Sequence, residues 1–376
     1  MTILIDRDQV IASPALVPTE RDLARDHGGE LTIGLVNNMP DPALKATERQ
    51  FMKLLQAAAG PCRIRFHCFS LPSVKRSPEA KWHVESEYSD LSDLRRQKFD
   101  GLIVTGAEPV APELDQEPYW RDLTELIDWA KANTRSTIWS CLAAHAAVLH
   151  LDGIERRRLP AKCHGIFDCD AVTSDPLTRA APAPLKVSHS RLNEIAESDL
   201  MQAGYQVLTR SAEAGVDVFI RQYASRFVFF QGHPEYDALS LQREYLRDIG
   251  RYLARERENY PRLPVSYFDA ATEEKLARFE KKAAHQRHPA LTNELPGLNL
   301  RADFSAGSAA AVLIQLVAIS QLGSRRVGPC ASAKGCWSRV RITRALGLPQ
   351  LARECFSTEI RKSQETQSCG RHSRDV

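Results

Sequence analysis

Three side chains of this 376-residue chain can carry nucleophilic chemistry if the fold brings them together: Cys141, His233 and Glu235. Cys141 follows the apolar run Ser136-Thr-Ile-Trp-Ser140 and precedes Leu142-Ala143-Ala144, where two alanines suit a tight strand-to-helix elbow. A thiol there faces unsatisfied backbone N–H groups and the positive end of a helix, which favour the thiolate. Those N–H groups also stabilise an oxyanion: Leu142 offers one, and Gly106-Ala107, at the end of another apolar run, a second. Taken alone, a thiol at a strand end is more often a small core residue. Gly232-His233-Pro234-Glu235 shifts the balance. Gly and Pro keep the segment a turn, and i,i+2 spacing puts both side chains on one side of extended backbone. A general base must reach the nucleophile and be oriented by a third group. His-Pro-Glu by itself fits a surface turn, but beside a cysteine elbow it implies a triad.

Other candidates surround these three. Lys162 and Arg191 lie in Ala161-Lys-Cys-His-Gly165 and Ser188-His-Ser-Arg191, segments of little helical regularity, where basic residues are ordinarily just solvated. Arg243, Arg247 and Arg251 recur at i, i+4, i+8, opposite a face of Leu241, Tyr245, Ile249 and Tyr252 that should be buried. Interleaved Glu244 and Asp248 make a solvated ion-pair face the plain reading, though one arginine could clamp a substrate carboxylate. His145, one helical turn after Cys141, sits behind the elbow and reads as a helix-face residue, not the base. Cys163, His164 and Cys169 lack paired ligand spacing, so no metal is expected. There is no Walker loop and no Gly-x-Gly-x-x-Gly.

Short apolar runs bounded by breakers position these residues. Leu31–Val36, Arg63–Phe69, Gly101–Thr105, Ser136–Ser140 and Phe227–Phe230 read as strands. Helical spacing marks Thr47–Ala58, the Leu123–Ala130 stretch, Ala143–Leu151 and about Leu239–Arg255. Uniformly apolar strands alternating with helices imply a three-layer α/β fold, a mostly parallel sheet covered on both faces. Ligands in such sheets gather at the carboxyl ends of the strands. Those ends deliver Asn37-Asn38-Met39, Gly106-Ala107, Cys141 and Gly232–Glu235 to one rim.

Composition is that of an ordinary globular protein, 43% hydrophobic and 26% charged, and a net charge of +3 is too even for a nucleic-acid binder. Nine scattered cysteines and charges near the N-terminus imply a reduced, cytoplasmic protein without a signal peptide. Residues 1–30 read as an irregular arm, 31–300 as the catalytic domain and 301–376 as a poorly ordered tail of net +7. The uncharged stretch Phe304–Ser324 has an apolar centre too short for a membrane span.

The combination of motifs resembles the bacterial homoserine O-succinyltransferase family. It rests on Asn38-Met39-Pro40 with Glu48-Arg-Gln-Phe51, Phe99-Asp-Gly-Leu-Ile-Val-Thr-Gly106, Tyr119-Trp120, Cys141, Lys162 before Gly165, His189-Ser190-Arg191, and Gly232-His-Pro-Glu-Tyr-Asp237 followed by Arg247. The resemblance spans residues 31 to about 260. It implies a class I glutamine-amidotransferase-like, flavodoxin-like fold and a ping-pong reaction of methionine biosynthesis. Cys141 would take the acyl group of an acyl-CoA as a thioester, and His233, partnered by Glu235, would deprotonate the L-homoserine hydroxyl. Lys162, Ser190 and Arg247 would contact substrate, and the protein could be a homodimer. The family's donor-tuning position aligns with Val110, in a loop that also holds Glu108. Val110 adds bulk that narrows the pocket without charge, and only an inward Glu108 would repel a succinyl group. An exposed Glu is the commoner case, so the family's usual donor, succinyl-CoA, is favoured and acetyl-CoA is the alternative. The basic tail replaces the aromatic C-terminal helix usual in the family. A glutaminase shares Cys and His-x-Glu but usually has a Gly-x-Cys-x-Gly elbow, whereas this chain reads Trp139-Ser-Cys-Leu-Ala143. A non-catalytic binding module would keep the fold alone.

Overall fold

The computed structural model describes residues 2–5, 10–13, 30–59, 63–179 and 183–301. The tail and the Phe304–Ser324 stretch lie outside the described residues, as does most of the N-terminal arm. In chain order the strands and helices are β1 (Thr2–Ile5), β2 (Val10–Ser13), β3 (Glu30–Val36), α1 (Asp41–Ala59), β4 (Arg63–Phe69), α2 (Pro78–Glu87), α3 (Leu91–Arg95), β5 (Phe99–Thr105), α4 (Trp120–Asn133), β6 (Thr134–Ser140) and α5 (Leu142–Asp152). There follow β7 (Arg157–Ala171), β8 (Leu185–Glu194), α6 (Glu197–Gln202), β9 (Gln206–Ser211), β10 (Gly215–Gln222), β11 (Arg226–Phe230), α7 (Ser240–Leu253) and α8 (Ala270–His285).

The strands form a sheet in the order β2-β1-β4-β3-β5-β6-β11-β10-β9-β7-β8. Its centre, β4-β3-β5-β6-β11, is parallel throughout, as the uniformly buried runs require. Both flanks are antiparallel. The first flank differs from the irregular arm expected of residues 1–30: β1 and β2 form a hairpin on the β4 edge. The second flank differs too. Lys162 and Arg191 lie on the long strands β7 and β8, which pair across Cys163–Arg191 and His164–Ser190. Their apolar runs are interrupted by polar residues, because much of β7 is exposed or half-exposed.

Alternating side chains place the core on both faces of the sheet. Leu31, Ile33, Leu35 and Ile138 pack beneath α1, whereas Val36, Val104, Trp139 and Phe229 pack beneath α4 and α5. A third core joins α7 to α8 through Tyr245, Ile249, Phe268, Leu276 and Phe279. The parallel strands end together at one rim, and a cavity of about 1210 Å³ opens there. Among the described residues no helix is long and apolar enough to cross a membrane.

Candidate active site

β6 turns directly into α5 at Cys141, whose backbone stands at φ 51°, ψ −113°. A positive φ costs a side-chain-bearing residue about 1–3 kcal/mol and persists only where the surroundings enforce it. Here the Cys141 N–H donates to the Phe230 carbonyl at 2.8 Å, tying the elbow to β11. Gly106 makes the room: a Cβ on it would lie 2.5 Å from Leu142 Cβ and 3.1 Å from Leu142 N. As the first residue of α5, Leu142 has an N–H with no carbonyl to meet inside its own helix. It therefore stands free of the helix beside the Gly106-Ala107 turn.

The His-Pro-Glu turn meets this elbow. His233 Nδ1 lies 2.9 Å from Glu235 Oε1, both side chains buried, and the imidazole also hydrogen-bonds Cys141. With Nδ1 committed to Glu235, Nε2 serves the thiol. Tyr236 stacks on the ring, centroids 4.1 Å apart at 18°, and the His233 N–H donates to Ser188 O at 2.8 Å. Burial opposes charge on the imidazole, but the adjoining Cys141 and Glu235 overcome it and raise its pKa well above the usual value.

Asp217 braces the turn from behind, and sequence reasoning missed it. Its Oδ1 accepts the Gly232 N–H at 3.2 Å and its Oδ2 the Thr209 hydroxyl at 3.0 Å. A Cβ on Gly232 would stand 2.7 Å from Asp217 Oδ1 and 2.6 Å from Val187 Cγ1. Burial pushes the Asp217 carboxyl up to about 6. A single acid between Val216 and Val218 in an apolar strand was the available signal.

The far wall is α7 against β7 and β8. Lys162 Nζ lies 3.0 Å from Asp248 Oδ2 and 3.5 Å from Glu244 Oε2. Ser190 and Tyr236 both donate to Glu244, and His164 Nδ1 lies 3.1 Å from Ser190 Oγ. Burial opposes the Glu244 charge, yet Lys162, His233 and the two hydroxyls hold its carboxyl below the usual range. Glu244 and Asp248 are thus not a solvated face. Asp248 is 5% exposed, because the side chains of Lys162 from β7, Arg247 and Arg257 close over it. Arg247 lines the cavity, 3.2 Å from Asp248 Oδ1. Arg191 is buried rather than solvated, donating to the carbonyls of Asn193 and Ala214. Arg243 pairs with Asp237 at 2.7 Å.

The loop after β5 is held by buried Glu117, whose Oε1 accepts the N–H groups of Val110 at 2.8 Å and Ala111 at 3.0 Å. Val110 is consequently 71% exposed at the cavity edge, so most of its bulk faces solvent instead of narrowing the site. Glu108 does not turn inward unpaired; it meets Arg251 of α7 at 3.0 Å. His145 is buried beneath the elbow against Gln231 at 3.2 Å, and burial, with Arg191 and Arg156, pushes its pKa down to about 3. Among the described residues no group of three His, Cys, Asp or Glu could hold a metal ion.

A family model described as homoserine O-succinyltransferase matches residues 3–288. The chain belongs to the homoserine O-succinyltransferase family. It is 60% identical over 316 residues to the homoserine O-succinyltransferase of Bradyrhizobium japonicum, covering 84% of this chain and 97% of that one. Against the Rhodopseudomonas palustris homoserine O-succinyltransferase it is 56% identical over 313 residues, covering 82% and 94%. A glutamine amidotransferase from Thermotoga maritima is similar at TM-score 0.44 and 12% identity, over 77% of this chain and 99% of that one. In this homoserine O-succinyltransferase-family chain, several motif residues are fasteners that do not line the cavity. Glu48 accepts from Tyr88 and lies 2.8 Å from His83, Gln50 donates to Ser240 at 2.8 Å, and Asn38 donates to the Thr105 carbonyl at 3.1 Å.

Proposed function

We propose that this chain moves the succinyl group of succinyl-CoA to the hydroxyl of L-homoserine through a thioester on Cys141, a step of methionine biosynthesis. The observation that carries the reading is the strained Cys141 elbow hydrogen-bonded to an imidazole that Glu235 orients. The Cys141 thiolate attacks the acyl-CoA carbonyl, and the oxyanion is held by the N–H groups of Leu142 and the Gly106-Ala107 turn. Collapse expels CoA as a thiol that carries the His233 proton, leaving acyl-Cys141. Homoserine then enters against α7, with Arg247 facing its carboxylate and Lys162 and Ser190 lining the same wall. His233 Nε2 takes the hydroxyl proton as the oxygen attacks, and Cys141 leaves as thiolate. The products are O-succinylhomoserine and free CoA.

Kinship with enzymes named for succinyl transfer supports the donor choice. So does the Glu108–Arg251 pair, which offsets the loop carboxylate that would otherwise repel a succinyl group. Mass spectrometry of the denatured protein after brief mixing tests the reading. Succinyl-CoA should place a succinyl group on Cys141 that homoserine discharges, and Cys141→Ala should show neither adduct nor turnover. Labelling by glutamine would make the chain a glutaminase; no adduct from any donor would make it a binding module.

A further inference from the structure

The cavity is rich in cations, and five of the seven lysines and arginines that line it are spent. Lys162 bridges Glu244 and Asp248, and Arg247 and Arg257 also meet Asp248. Arg251 holds Glu108, and Arg191 is committed to backbone carbonyls. Arg156 is different. It lines the same cavity as Cys141, is half-buried, and forms no ion pair among the described residues. Its Nη1 is sealed from solvent without a hydrogen-bond partner. Arg158 also lines the cavity without an ion pair among the described residues, but it is exposed on β7.

Where Arg156 sits gives this cation a meaning. Its charge is felt by His145, one turn below Cys141, and it in turn feels Glu113, Tyr119 and Glu117. Glu117 is the residue that holds the Val110 loop, and Arg156 lines one cavity together with Val110, Glu113 and Cys141. Tyr119 OH and Glu117 Oε2 are also buried without partners, so polar capacity beside Arg156 is left over. Burial outweighs the pull of Glu113, Tyr119 and Glu117 and holds the guanidinium below its usual pKa, although it stays charged.

We propose that Arg156 receives the distal carboxylate of the succinyl group and thereby selects a dicarboxylic acyl donor over uncharged ones. The inference rests on the Cys141 thioester. A guanidinium–carboxylate contact in a partly desolvated site is short, directional and stronger than the same contact in water. An acyl chain ending in methyl leaves Arg156 unsatisfied and forfeits that contact. Discrimination of this kind, between a site built for a polar group and an analogue lacking it, exceeds what a difference in apolar bulk provides.

The decisive comparison uses succinyl-CoA and butyryl-CoA, which share chain length and differ in the terminal carboxylate. The rate of Cys141 acylation is followed by quenched-flow mass spectrometry on the full chain. The native protein should favour succinyl-CoA. Arg156→Gln should lower the succinyl-to-butyryl ratio by about 10- to 100-fold, the worth of one charged hydrogen-bonded contact. Arg156→Lys should keep part of the preference. Because the ratio compares two donors in one preparation, a poorly folded fraction cancels. A ratio unmoved by Arg156→Gln overturns the proposal, as does a native protein indifferent to the carboxylate. An equal loss for both donors also overturns it and makes Arg156 a contact to the CoA phosphates. If neither donor acylates Cys141, it is the thioester reading that fails, a result distinct from an unchanged ratio on a working enzyme.

Discussion

In the proposed reaction His233 gives up a proton in one half-reaction and collects one in the other, and its surroundings change between them. Burial disfavours its charge, while Cys141 and Glu235 favour it strongly enough to raise the pKa well above the usual value. Acylation converts the Cys141 thiolate into a neutral thioester and removes the first of those partners. The imidazole pKa then falls, which suits the base that homoserine requires. Glu235 remains, so it sets where the acid limb lies in the second half-reaction. His233 is competent as base only when neutral, above its pKa, and Glu235 raises that pKa. Glu235→Gln should therefore move the acid limb of kcat/KM for homoserine to lower pH, while the plateau falls by about 10- to 100-fold as the ring loses its orienting partner. A limb that stays in place would show that Glu235 orients the ring without setting its charge. Cys141, His233 and Glu235 were legible in the sequence because strand ends and breakers locate side chains without tertiary knowledge. Glu244 and Asp248 were not. Their i,i+4 spacing says that they share a face of α7, but only the path of β7 says that Lys162 covers that face.

The elements show the same division. Apolar runs gave away β3, β4, β5, β6 and β11, and with them the rim on which the triad sits. β7 and β8 were hidden, since half-exposed antiparallel strands mix polar and apolar residues and only the pairing partner reveals them. β9 and β10 were hidden too: though largely buried, they have their apolar runs broken by buried Thr209 and Asp217. Those hidden strands supply Lys162, Ser190 and the brace Asp217, so sequence alone located the residues proposed as nucleophile and base but not the wall opposite. Two contacts between elements are open to direct test. Gly106 lets β5 approach the start of α5, and Gly106→Ala would drive a Cβ into Leu142. Overpacking there should cost about 1–3 kcal/mol in denaturant unfolding. It should also slow acylation of Cys141 by up to about 100-fold, the penalty for displacing a reacting group by roughly an ångström. Loss of stability with acylation intact would separate the glycine from the elbow. The Asp217 brace makes a statement about pH. Its carboxyl is raised to about 6 from the ordinary 3.8, so the folded state holds the proton more tightly than the unfolded one. The stabilisation from that proton is complete below about 3.8 and is lost as pH rises through about 6. Asp217→Asn should flatten that part of the stability–pH curve, and an unchanged curve would mean that Asp217 does not titrate there.

Across the whole molecule, the two walls assigned to the halves of the proposed reaction rest on different cores. The Cys141 elbow is backed by Ala143, Ala144, Ala147 and Val148, which pack with Trp139 and Phe229 beneath α5. The α7 wall, with Arg247, Glu244 and Asp248, is backed by Tyr245, Ile249 and Tyr252 packed on Phe268, Leu276 and Phe279 of the α8 segment. Side-chain packing at native density transmits strain locally, so damage to one core need not reach the other. Phe268 is 1% exposed and is not among the residues that line the cavity. Phe268→Ala should lower stability by about 3–5 kcal/mol through the cavity it leaves. At temperatures where the variant stays folded, the packing of α7 against α8 loosens and the acceptor wall loses its fixed spacing. The KM for homoserine should then rise several-fold, while single-turnover succinylation of Cys141 keeps its native rate. Such a split is informative because a general loss of folded protein lowers both half-reactions together. If acylation fell in step with homoserine affinity, the three cores would behave as one unit, and the assignment of α7 to the acceptor alone would be wrong.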